Sequence, residues 1–123
     1  MESIALESLH KIPVSSLQDF KRKIQPGVSI ATTYHMEAAG WDENQDLVFK
    51  DKDLGVARIA RVQSNAFTVM RKKKDGTPFE SWLHYPAASM CEIKDGSIII
   101  FKHWRKHNGQ EEKLPCLTYT LVQ

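Results

Sequence analysis

Apolar and polar side chains alternate through much of this chain, and turn residues break the alternation at short intervals. Val28, Ile30, Thr32 and Tyr34 fall on one side, and Ser29, Ala31, Thr33 and His35 on the other. That period of two predicts a first strand over 28–34. Runs rich in β-branched and aromatic residues predict further strands over 55–62, 66–71, 78–85, 90–93, 97–104 and 114–122. Between them lie Lys74-Asp75-Gly76, Lys94-Asp95-Gly96 and His107-Asn108-Gly109. Asp-Gly and Asn-Gly supply the positive φ angles of tight hairpins, so the strands are expected to be antiparallel. Gln63-Ser64-Asn65 reads as a short polar turn. Pro86-Ala87-Ala88-Ser89 is too short for an α-helix and fits one 3-10 turn.

The first half is less regular. Ile4, Leu6, Leu9 and Ile12 form no clean stripe, and Pro13 stops whatever precedes it. A frayed helix or a surface arm fits residues 1–13. A short helix is expected over 16–24. Ser15 or Ser16 can cap it, Asp19 lies in its first turn, and Lys21, Arg22 and Lys23 favour its C-terminal dipole. Leu17, Phe20 and Ile24 give it one apolar stripe, which suits a core better than a partner surface. From Glu37 to Asp53 the chain turns polar, and this stretch is expected to be a long loop around a brief strand at Leu47-Val48-Phe49. Connections of that length inside a compact domain often carry function.

The segment Ser81-Trp82-Leu83-His84-Tyr85-Pro86-Ala87-Ala88-Ser89-Met90-Cys91-Glu92-Ile93 resembles the strand, 3-10 turn and final strand of SH3-like barrels. On that resemblance 37–54 matches their long first loop and 72–77 their distal hairpin. It implies a mainly β domain: a small antiparallel SH3-like barrel over 28–93, preceded by an arm and short helix (1–27) and followed by an added C-terminal hairpin (94–123). The alternative is an OB-like barrel. The ALYDY pattern of signalling SH3 domains is missing, so proline-rich peptide binding is not implied. The chain is also similar to the small accessory proteins of phages and prophages, which implies binding to a host component.

Composition narrows the classes. The 123 residues suffice for one domain with one core, and 41% hydrophobic with 26% charged residues is ordinary for a soluble protein. A net charge of +2 gives little whole-molecule attraction to nucleic acid, leaving that to local patches. No apolar run approaches a bilayer span, and the N-terminus lacks a signal-peptide pattern, so a cytoplasmic protein without a membrane role is expected. Cys91 and Cys116 show no metal-ligand spacing and read as small buried hydrophobes.

Candidate chemistry is sparse. His35, His84, His103 and His107 lack the spacing of a metal site, and Asp51-Lys52-Asp53-Leu54-Gly55 lacks the distal Glu of a calcium loop. Neither a metal nor a cofactor is expected. Ser81, Ser89 and Cys91 sit in no nucleophile elbow, and no phosphate-cradling loop occurs, so no catalytic residues are assigned. Binding residues are the better candidates. Trp41 either anchors the acidic loop or contacts a partner, and Asp42, Glu43, Asp46, Asp51 and Asp53 could mimic phosphates toward a nucleic-acid-binding protein. Arg71, Lys72, Lys73 and Lys74 read as a solvated turn or a phosphate contact. Lys102, Trp104, Arg105 and Lys106 interleave an aromatic ring with cations, as single-strand binders do. Two registers fit 98–104: Lys102 and Trp104 follow Ile98 and Ile100, or His103 and Arg105 follow Ile99 and Phe101. That apolar run also suggests a homodimer contact. The expected function is non-catalytic: an accessory or inhibitor protein that binds a host protein or nucleoprotein, with direct nucleic-acid binding as the alternative.

Overall fold

The computed structural model describes residues 10–123. The elements are β1 (Lys11–Ile12), α1 (Leu17–Lys23), β2 (Ser29–Trp41), β3 (Leu47–Val62), β4 (Ala66–Lys72), β5 (Pro78–His84), a 3-10 turn (Ala88–Met90), β6 (Cys91–Lys94), β7 (Ser97–Arg105) and β8 (Glu111–Val122). The expected arm over residues 1–13 lies mostly outside the described residues. Its last part, β1, pairs with β8.

Helix α1 forms where the capping residues and the apolar stripe coincide. Ser16 is the N-cap, and its Oγ accepts the Asp19 N–H at 3.0 Å. Phe20 and Ile24 are buried, and Leu17 packs beside them. The Phe20 ring stacks on Tyr119 and meets Tyr85 edge-on, with centroids 6.2 and 6.3 Å apart.

The sheet is antiparallel, in the order β5-β4-β3-β2-β8-β7-β6. Strand β3 belongs to both halves: residues 47–58 pair with β2, and 59–62 with β4. Ile59, Phe67 and Val69 from one half gather with Ile30, Ile98, Tyr119 and Leu121 from the other into one core, which includes Phe20 and Ile24 of α1. A Phe-to-Ala change at Phe20 or Phe67, both fully buried, would cost about 3–5 kcal/mol.

Two expectations need correction. The hydrogen-bonded path runs from β5 to β6 without returning to its start, so the sheet is open and does not form the closed SH3-like barrel. The 97–122 hairpin is also no appendage. Its second strand lies between β2 and β7 and gives Tyr119, Leu121 and Val122 to the interior.

A third correction concerns 37–53, expected as a loop. It is the far half of the β2–β3 hairpin, closed by the turn Asp42–Gln45. Register shifts between Ala31/Thr33, Tyr34/Glu37 and Ala38/Trp41 mark bulges that break the alternation a strand would show in sequence. The turn is hidden because Gln45, not glycine, takes the left-handed conformation (φ 65°). The Asp42 carboxylate supports it by accepting the N–H groups of Asn44 (2.8 Å) and Asp46 (3.0 Å).

Gly96 shows why one turn residue is fixed. With φ at +76° it completes the β6–β7 turn, and a Cβ there would lie 3.0 Å from Pro13 Cβ. Its carbonyl accepts the Val14 N–H at 2.9 Å. The segment before α1 is thereby held against the turn.

Candidate functional site

Strands β2 and β8 pair from Ser29↔Val122 to Tyr34↔Leu117, and there the ladder ends. Both strands are irregular at that point. The β2 register shifts between Tyr34 and Glu37 against β3. On β8, Leu117 faces Ile100 and Pro115 faces Phe101, which leaves Cys116 as the extra residue. Pro115 has no N–H to continue a ladder. Beyond this fork the chain forms two separate ribbons, the β2–β3 hairpin and the β7–β8 hairpin.

Their tips meet again. The Phe49 and Trp104 rings pack edge to face, with centroids 5.1 Å apart. The backbone N–H of His107 donates to Asp46 Oδ1 at 2.7 Å. Ile98 is fully buried, which fixes the β7 register: Ile98, Ile100, Lys102 and Trp104 share one face. Trp104 is half-buried, with its ring packed against Phe49.

Between the tips lies a shallow depression of about 370 Å³, lined by Trp41, Leu47, Trp104 and the residues around Asp46 and Lys106. Trp41 is 71% exposed and projects at its edge, so it does not anchor the turn. The charges around it are largely paired. Lys106 Nζ lies 2.8 Å from Glu112 Oε1, and Arg105 lies 3.1 Å from Glu111 Oε1. The hydrogen bond to Glu112 raises the Lys106 pKa above its ordinary value, with its charge and those of Asp46 and Asp42 adding to the effect. The lysine is thus fully charged at neutral pH and held in place.

The structure therefore brings Trp41, Asp42, Glu43 and Asp46 to the same end as Trp104, Arg105 and Lys106. Lys102 is exposed further back on β7. Asp53 accepts the Gly55 N–H at 2.8 Å within a bulge of β3. Arg71, Lys72, Lys73 and Lys74 sit on the separate β4–β5 hairpin, with no carboxylate within ion-pair distance among the described residues. Arg71 and Lys72 border a second depression, of about 400 Å³, with Leu54, Val56, Met70 and Phe79.

Sequence reasoning missed one cluster. His35 Nδ1 lies 2.7 Å from Asp51 Oδ1, and His35 Nε2 lies 2.6 Å from Thr118 Oγ1. A carboxylate only accepts, so Nδ1 carries the proton, and in the neutral ring Nε2 accepts from the threonine hydroxyl. This order of acid, imidazole and hydroxyl is that of a nucleophile relay. Thr118, however, is paired on both sides within the sheet, with Thr33 and Ile99. As built, the cluster ties β3 to β8 across β2 where the fork opens. Nothing in the sequence marks this role, because Asp51 and Thr118 reach His35 only through strand register.

Among the described residues, no three His, Cys, Asp or Glu side chains converge on a site that could hold a metal ion. Cys91 and Cys116 are free, half-buried thiols whose pKa values are raised, mainly by burial. No helix among the described residues is long and apolar enough to cross a membrane. Comparison with family models, curated proteins and solved structures finds no match to this chain.

Proposed function

We propose that this protein is a non-catalytic binding module, an accessory or inhibitor protein of the phage kind. In this reading it engages a host protein through the joined tips of the β2–β3 and β7–β8 hairpins. One observation carries it: Trp41 is 71% exposed beside a depression that it shares with Trp104 and Leu47. A large aromatic ring at the rim of an apolar hollow, surrounded by charges, has the composition of an interface hot spot. Because Glu111 and Glu112 neutralise Arg105 and Lys106, this end suits a protein surface better than a polyanion. Asp42 and Glu43 at the exposed turn give it an acidic edge. The open antiparallel sheet then presents these hairpins as the contact surface.

The alternative is direct nucleic-acid binding. It is favoured at a different place, where Arg71 to Lys74 have no carboxylate partners among the described residues.

The test is co-purification from host lysate with the wild type, Trp41→Ala, and Lys72→Glu/Lys73→Glu. A hot-spot tryptophan contributes about 2 kcal/mol or more, so Trp41→Ala should weaken capture at least about thirtyfold. Its thermal stability should change little, since the side chain is exposed. Capture that survives Trp41→Ala would exclude the tip reading. Capture of nucleic acid that falls steeply with salt, and is lost in the lysine variant, would favour the alternative.

A further inference from the structure

Strand β5 ends the sheet, and among the described residues nothing pairs with its outer side. Its hydrogen-bonding direction follows from the ends of the β4–β5 ladder. The Lys73 N–H bonds the Thr77 carbonyl (2.9 Å), and the Tyr85 N–H bonds the Asn65 carbonyl (3.3 Å). Between them the register is unbroken from Lys72↔Pro78 to Ala66↔His84. Antiparallel pairs alternate, so Phe79, Ser81 and Leu83 turn their backbone groups toward β4. Pro78, Glu80, Trp82 and His84 turn theirs outward.

Natural edges are blunted by short length, charged side chains, prolines, bulges or covering loops. The other end strand, β6, has four residues and ends in Lys94. Strand β5 has seven residues and neither lysine nor bulge, with Phe79 and Trp82 37% and 45% exposed. Its one proline, Pro78, sits at the start of the strand and takes a single N–H from the outer side, leaving those of Glu80, Trp82 and His84.

We infer that β5 pairs with β5 of a second copy, antiparallel about a two-fold axis at Ser81, joining two sheets into one. Ser81 is the midpoint of the strand, so all seven residues pair. Glu80 then exchanges both backbone bonds with the partner's Trp82, and Trp82 with the partner's Glu80. The His84 N–H donates to the carbonyl of the partner's Pro78. All three outward N–H groups of each strand are satisfied, and the missing one belongs to proline. On the inner face Phe79 meets the partner's Leu83. On the outer face Trp82, which lies under the Arg61 guanidinium at 5.5 Å, meets the partner's Glu80. Arg61 already pairs with Glu80 of its own chain at 2.8 Å, so the two-fold places two such pairs side by side with opposite charges adjacent. This contact is separate from the 98–104 run, whose Ile98 is buried in the core, and it leaves the hairpin tips free.

The mass of the full chain should be measured by light scattering over about a hundredfold range of concentration. The expected result is twice 14.1 kDa at the upper end. Trp82→Pro removes an outward N–H without touching the β4 ladder and should give a folded monomer by circular dichroism. A central Ser81↔Ser81 pair is of the non-hydrogen-bonded type, whose Cα atoms lie within disulfide reach. Ser81→Cys treated with diamide, which takes up the two electrons and two protons, should give at least about ten times more cross-linked dimer than the wild type. The cross-link also decides the matter should Trp82→Pro fail to fold. A monomer at every concentration, a dimer that persists in folded Trp82→Pro, or no cross-link above the wild type would each overturn the pairing.

Discussion

Asp19 shows how much one side chain can organise. Its carboxylate accepts the Ser15 N–H at 2.9 Å and pairs with Lys23 at 3.0 Å and with Arg22, while its own N–H donates to Ser16. The Lys23 hydrogen bond, then the Ser15 amide and Arg22, hold its pKa well below the usual carboxylate range. The sign follows from linkage. The unfolded chain takes up this proton near pH 3.9, about the ordinary Asp value, and the folded chain only at lower pH. The stabilisation is therefore complete above about pH 4 and fades as pH falls below it. Asp19→Asn should be less stable than the wild type at neutral pH, and urea melts should show the gap narrowing in acid. A gap that stays constant down to about pH 2 would show that the charge is not what matters. Ser16, Asp19 and the basic last turn were legible because helix capping is local. Gln45 was not, because a non-glycine residue in the left-handed region leaves no mark in composition.

At the scale of elements, the strands from 55 onward were legible and the 37–53 hairpin was not, for one physical reason. Alternation survives in β5 and β6, whose ladders with β4 and β7 run without register shifts. It fails along the outer half of β2 and β3, where two of the three register shifts change which face a side chain occupies. The bulges also make the fork, and His35 holds the fork closed by reaching Asp51 on β3 and Thr118 on β8. His35→Ala should cost about 1–2 kcal/mol, or a few degrees in Tm, as typical for two lost side-chain hydrogen bonds at a half-buried site. Hydrogen exchange should rise first at Tyr34 and Leu117, the last pair before the ribbons separate. Uniform acceleration across all strands would mean that His35 acts on global stability and not on the fork.

At the scale of the whole molecule, the sheet order lay beyond the sequence. Hairpin turns specify which neighbours in the chain pair, but β2 lies beside β8, with Ser29 opposite Val122. That long-range choice arises from the shared core of Ile30, Tyr119 and Leu121 under α1, not from any local signal. It also creates the candidate site, because two hairpins rooted in neighbouring strands can meet at their tips. Trp41 and Trp104 were both legible as candidates, yet only β2–β8 adjacency explains why one depression holds them. The proposed binding end requires the two tips to form a single surface. Hydrogen exchange at the His107 amide measures that union directly, since its hydrogen bond to Asp46 Oδ1 joins one hairpin to the other. The expected result is slow exchange in the wild type, accelerated at least about tenfold in Asp46→Ala while the β4–β5 amides stay unchanged. Exchange at His107 that is equally fast in both proteins would contradict it, leaving two independent hairpins and no shared site.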